Sequence, residues 1–171
     1  MSHWLAHFTH GTVLALTVAS FAMAESAAAP EGPALLTVTG DIAVTNIGET
    51  LVLDRNALSA MPVTTFDTST IWTDGVHTFT GVALTTLAAE IGATGGTFLA
   101  TAINDYTIEI PVADATDGAP IIAYLMDGNA MSVRDKGPLW VIYPYDSDAA
   151  YRTEVIYSRS IWQLDRLEVV Q

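Results

Sequence analysis

The chain predicts an α+β domain, compact and single, built on mixed sheets. Three observations predict it: many short β-rich runs set off by turn signals, one clear amphipathic helix, and no internal repeat or second composition regime across the 171 residues. That length fills one hydrophobic core comfortably and two only poorly.

Taken in order, residues 35–39 alternate weakly and are β-rich, which predicts the first strand, and Leu51, Val52 and Leu53 predict a short second one. Asp54 stands where an N-cap belongs, so residues 55–61 are expected as a short helix stopped by Pro62. Residues 63–72, rich in Thr and Val, read as extended, and Thr73-Asp74-Gly75 turns the chain into a returning strand at 77–80. The clearest helix is 83–91, with Leu84, Leu87, Ala88 and Ile91 on one face and Gly92 as its stop. Residues 98–103 predict a buried strand, Asn104-Asp105-Tyr106 breaks it, and 106–110 alternate as the next strand before Pro111. Residues 113–118 form a helical or turn segment, 121–126 a buried strand, and Asp127-Gly128 a second hairpin turn. A strand at 140–143 is stopped by Pro144, a polar loop runs over 145–151, and strands at 155–157 and 161–169 close the domain.

The beginning of the chain reads as an export signal. His3, His7 and His10 precede an apolar stretch from Thr12 to Ala22, followed by Ala22-Met23-Ala24. That stretch is too short to span a bilayer, and its end has the small-residue pattern of a cleavage site. The expected organisation is therefore a signal peptide over 1–24, a flexible Ala-, Pro- and Gly-rich lead-in over 25–33, and the domain over 34–171. Export places the domain in the periplasm with no direct membrane anchor after cleavage. The formal charge is −13, and every Asp, Glu, Lys and Arg falls after residue 24. Such a surface repels phosphate backbones and anionic headgroups, so nucleic acid is not an expected partner. It does not repel a neutral heterocycle. There is no cysteine, which excludes disulfides and thiolate metal sites. His77 is the one histidine after residue 24, and alone it makes a poor metal centre.

Several segments, in order, resemble the sulfite-oxidase-type molybdopterin-binding domain. They are Phe79-Thr80-Gly81-Val82-Ala83-Leu84, Asn104-Asp105-Tyr106 with Ile110-Pro111, Ala123-Tyr124-Leu125-Met126-Asp127-Gly128, Gly137-Pro138-Leu139 with Pro144, and the terminal strand near Trp162. The enzymes of that family hold molybdenum through a cysteine in the extended segment before the helix. The comparable stretch here is Thr68-Ser69-Thr70-Ile71-Trp72, and hydroxyls are poor substitutes for a thiolate. Trp140 stands where many of the enzymes have an arginine. The Trp72-Thr73-Asp74-Gly75 turn, Lys136-Gly137-Pro138-Leu139-Trp140 and Ser158-Arg159-Ser160-Ile161-Trp162-Gln163-Leu164 are more similar to a cysteine-free exported group that binds reduced pterins. That resemblance implies a monapterin- or neopterin-like ligand, no metal, and a partner that is the periplasmic domain of a membrane-bound cyclic-di-GMP signalling protein.

A pterin offers a flat ring for aromatic stacking and a directional edge whose 2-amino group and N3–H match a carboxylate. Trp72 is the expected stacking residue, with core packing as the alternative. Asn104, Asp105 and Tyr106 combine amide, carboxylate and ring at a strand end. There Asp105 is the preferred edge acceptor, Asp146 the substitute, and an Asx-turn the non-binding reading. Trp140 and Tyr145 flank Pro144 and are expected as an opposite wall, although strand alternation allows only one of Trp140 and Tyr143 to line a site. The resemblance adds Arg159 as a donor and puts Asp135, with Arg134, beside the same site.

Other chemistries find little. Gly92-Ala93-Thr94-Gly95-Gly96 is a helix stop rather than a phosphate loop, and no G-x-S-x-G elbow occurs. Three readings remain: a pterin sensor, a molybdopterin oxidoreductase without its cysteine, and an interaction module with no ligand.

Overall fold

The computed structural model of the protein describes residues 25–116 and 118–171. The elements run β1 (Glu25–Ser26), β2 (Leu36–Gly40), β3 (Val44–Thr45), β4 (Leu51–Leu53), α1 (Arg55–Ala60), β5 (Val63–Thr70), β6 (Thr73–Ala83), α2 (Leu84–Ile91), β7 (Thr97–Ala102) and β8 (Thr107–Pro111). Then follow β9 (Ile121–Met126), β10 (Asn129–Ala130), β11 (Trp140–Ile142), α3 (Glu154–Arg159) and β12 (Leu164–Val170). One five-stranded sheet has the order β4-β2-β12-β7-β8, with β2 and β12 parallel and its other pairs antiparallel. In the other, the order is β10-β9-β6-β5, and β11 pairs with β9 beyond the end of β10. Strands dominate, helices are few, and the class is α+β.

A single buried cluster draws on both sheets and on α2, through Leu36, Val38, Phe98 and Leu167, Phe79, Val82, Ile122 and Trp140, and Leu84, Leu87 and Ile91. The helix face read from the sequence is the buried one. Gly92 closes α2 at φ 74, with its N–H on the Ala88 and Ala89 carbonyls, and a side chain there would meet Ala43 at 2.8 Å. No helix among the described residues is long and apolar enough to cross a membrane.

Two expectations change. Residues 155–157 lie in α3 rather than in a strand. Three β-favouring residues suggested extension, but Thr153 accepts the Ile156 N–H at its hydroxyl, Glu154 opens the first turn and Arg159 closes the last. The closing strand starts at Leu164, because Gln163 adopts φ 55 and interrupts the run from Ile161. The lead-in makes hydrogen bonds to the domain: Ala27 N–H bonds the Thr45 carbonyl at 2.9 Å, and Asp54 accepts from Glu31 and Gly32 at 2.9 and 2.7 Å. The expected signal peptide, 1–24, lies outside the described residues.

Asp54 therefore does two jobs. It caps α1 through the Ala57 N–H at 2.8 Å and holds the lead-in with its other oxygen. The Ala57 N–H, then that of Gly32, keep its carboxyl below the ordinary carboxylate range. A depressed carboxylate stabilises the fold above its unfolded pKa, and the effect is lost as pH falls through the folded value. Asp54→Ala is expected to lower Tm by about 3–8 °C near neutrality, with the gap to wild type narrowing in acid. Thermal scans at two pH values check this, and a gap that stays constant into acid contradicts it.

Candidate functional site

Three segments come together at one end of the domain. The β5–β6 hairpin brings Trp72 to its tip, where the Thr70 hydroxyl meets that of Thr73 at 2.8 Å and accepts the Trp72 N–H at 3.0 Å. The β7–β8 turn presents Asn104 and Tyr106, its shape set by Asn104 Oδ1 accepting the Tyr106 N–H at 3.2 Å. The third segment is the end of α3 and the chain beyond it, residues 157–162.

Between them lies a cavity of about 430 Å³, within the ordinary range for small-molecule sites. Trp72, Tyr106, Tyr157 and Trp162 supply rings, Ala102 and Ile161 aliphatic surface, and Asn104, Ser158 and Ser160 the polar groups. A larger hollow of about 570 Å³ lies along Thr39, Gly40, Ile42, Thr45, Gly48, Glu49 and Thr50, and has no aromatic lining. Its composition offers a ring nothing to stack on, so the smaller cavity is the better candidate.

Trp72 is the hub of the aromatic cluster. Its ring lies edge to face with those of Trp140, Tyr145, Tyr157 and Trp162, at centroid separations of 5.8, 6.3, 5.8 and 5.7 Å. Behind it, Trp140 and Tyr145 are buried and anchored to one residue. Trp140 Nε1 donates to the Ser160 carbonyl at 3.1 Å, and Tyr145 OH to the Ser160 hydroxyl at 2.6 Å. Burial pushes the Tyr145 phenol up to about 12. The neighbouring Tyr143 is also raised by burial, and its hydroxyl meets no hydrogen-bond partner among the described residues. Tyr143→Phe is therefore expected to leave stability unchanged or raise it by up to about 1 kcal/mol, because it removes an unpaired buried polar atom. Denaturant unfolding reads this directly, and a loss above that size contradicts it.

Of the residues expected from sequence, Trp72, Asn104 and Tyr106 line the cavity. Trp140 and Tyr145 do not form an opposite wall; they back Trp72 from inside, and neither Trp140 nor Tyr143 lines the site. Asp105 takes φ 67, which turns it out of the lining, and its carboxylate accepts from Arg166 Nη2 at 2.6 Å. Asp146 accepts from Ser69 N–H and Oγ at 2.6 and 2.8 Å, and the backbone bond leads in holding its pKa low. Asp135 accepts from the Ser132 hydroxyl at 2.7 Å within its own turn. Arg159 pairs with Asp114. The lining thus contains no carboxylate and no guanidinium. Its polar lining consists of Asn104, Ser158 and Ser160, and the Ser160 hydroxyl is already engaged by Tyr145 and the Ile156 carbonyl.

Tyr157, Ser158, Ser160, Ile161 and Trp162 were not among the expected site residues. A strand expected at 155–157 hid the helical turn that aims Tyr157 at Trp72. The signal available was the aromatic and small-polar content of the Ser158–Leu164 segment itself.

In the Thr68–Trp72 stretch, which the resemblance expects in place of a thiolate, the hydroxyls of Thr68 and Ser69 are already engaged. Thr68 is fully buried, donates to the Ser69 carbonyl at 3.2 Å and accepts the Asp146 N–H at 3.2 Å, while Ser69 Oγ serves Asp146. These residues do not fit a molybdenum ligand. Among the described residues, no group of three or more His, Cys, Asp or Glu is placed to hold a metal.

His77 ties the hairpin that carries Trp72 to the β9–β10 turn. Its Nδ1 is 2.7 Å from Asp127 Oδ2 and its Nε2 is 3.0 Å from the Asp74 carbonyl. Both partners accept, so only the imidazolium donates to both. The Asp127 bond holds the His77 pKa above its ordinary 6.5. A raised imidazole stabilises fully below the unfolded pKa, and the effect is lost as pH rises through the folded value. His77→Gln is expected to lower Tm most below pH 6.5, with the deficit shrinking as pH rises above the ordinary imidazole value. Thermal scans across that range check it, and a deficit independent of pH contradicts it.

No family model matches the chain, and no curated protein matches it.

Proposed function

We propose that this is an exported binding protein that takes a reduced, neopterin- or monapterin-like pterin into the aromatic cavity and reports its occupancy to a signalling partner. The observation that carries the reading is the set of rings around Trp72, open on one side to a cavity of about 430 Å³ edged by Asn104, Ser158 and Ser160. Rings of that kind suit a flat heterocycle, and stacking on them contributes about 1–3 kcal/mol per heterocycle. The Asn104 Nδ2 makes no hydrogen bond among the described residues, and it is a donor available to the pterin O4 or N5. The resemblance to the sulfite-oxidase-type domain supplies the pterin class, and the Thr68–Trp72 stretch without a thiolate supports binding rather than molybdenum catalysis.

Exposed apolar side chains adjoin the lining residues in sequence: Ile71 at 62% and Ile103 at 46% exposure. We take these side chains and the part-exposed Trp162 as surface for a protein partner, the periplasmic domain of a membrane-bound cyclic-di-GMP signalling protein. Isothermal titration of the purified protein with dihydroneopterin tests the ligand. Saturable binding at micromolar concentration is expected, and no heat at high micromolar ligand would sink the reading.

A further inference from the structure

Lys136 is one of only six Lys and Arg residues in a chain of net charge −13, yet it makes no ion pair among the described residues. Its ammonium lies over indoles instead, 5.2 Å from the ring centroid of Trp162 and 5.7 Å from that of Trp140. The backbone fixes it there. Ser132 caps the turn Val133–Asp135, Lys136 follows at φ 70, and its carbonyl accepts the Gln163 N–H at 3.0 Å. Gln163 Nε2 returns to the Val133 carbonyl at 2.7 Å, so the turn and the Trp162 segment are tied twice. Gly137 packs so closely that a Cβ would fall 2.0 Å from the Met131 carbonyl, which prevents the turn from sliding.

Trp162 lines the cavity and Lys136 does not, so the ammonium acts on the indole from outside the ligand space. Trp140 is fully buried and cannot meet a ligand, which leaves Trp162 as the ring through which Lys136 acts on the site. A cation over one part of an indole draws π density toward itself. The indole as a whole becomes electron-poorer, and an electron-rich ring stacks on it better than an electron-poor one. Dihydropterins carry more ring electron density than oxidised pterins.

We propose that Lys136 is a positioning and specificity-determining residue: by polarising Trp162 it makes the cavity prefer reduced heteroaromatic rings over oxidised ones. This inference rests on the pterin reading of the cavity and assigns one residue, Lys136, to the preference for the reduced ring.

The test titrates the purified protein with dihydroneopterin and with neopterin, which share a side chain and differ only in ring oxidation state. Wild type is expected to prefer the reduced ligand by about three- to tenfold. Lys136→Met should erase that ratio and Lys136→Arg should keep it, with Lys136→Gln as a second neutral variant should the first fold poorly. Equal weakening of both ligands in the neutral variants means that Lys136 only props the wall; that overturns this inference and leaves the cavity reading in place. A wild-type protein that binds both forms equally overturns it too. A wild-type protein that binds neither removes the pterin reading, and this inference with it.

Discussion

Trp140→Ala is expected to destabilise the fold by about 3–5 kcal/mol, the cost of emptying a fully buried aromatic site. Trp140 is 0% exposed and packs edge-on against Phe79 at 5.6 Å and Trp72 at 5.8 Å. Its removal opens a void beside Phe79 and Trp72 in a close-packed core. The Ser160 carbonyl also loses its indole donor, in a residue that already holds Tyr145. Ligand affinity should fall in the same variant, because Trp72 loses its support. Trp140→Phe should recover most of the packing but not the hydrogen bond. Denaturant unfolding measures both changes, and a loss under about 1 kcal/mol for Trp140→Ala contradicts the placement of this ring in the core.

The second large effect is on binding. Trp72→Ala is expected to weaken dihydroneopterin affinity by about tenfold to a hundredfold, the equivalent of one lost stacking platform. Trp72 is only partly buried, so its removal should cost the fold less than the removal of Trp140. Trp72→Phe should remain within about threefold of wild type, since a smaller ring still stacks. Asp105→Ala is the informative control. It lies outside the lining and is held by Arg166, so its affinity should change less than about twofold. A large loss for Asp105→Ala with none for Trp72→Ala would mean that the ligand sits elsewhere on this turn.

Local signals carried much of the fold. The α2 face, its Gly92 stop and the Asp54 cap are short-range chemistry, and each is legible residue by residue. The 155–157 segment was not, because β-branched content and a Thr cap point to opposite local states and the cap prevailed. The site was legible in part. Trp72, Asn104 and Tyr106 flank turns, which is where side chains converge. Asp105 is adjacent to two lining residues, yet its left-handed backbone points it at Arg166, and composition does not encode that sign of φ. Nor does strand alternation reveal that β11 is covered on both faces, which buries Trp140, Val141 and Ile142 alike.

The central claim is that a reduced pterin occupies the space between Trp72, Tyr106 and Trp162. The most direct test is the indole N–H spectrum of isotope-labelled protein during titration with dihydroneopterin. The resonances of Trp72 and Trp162 should shift together and saturate, with a smaller movement at Trp140. Indoles of Trp72 and Trp162 that stay unmoved at saturating ligand would contradict it.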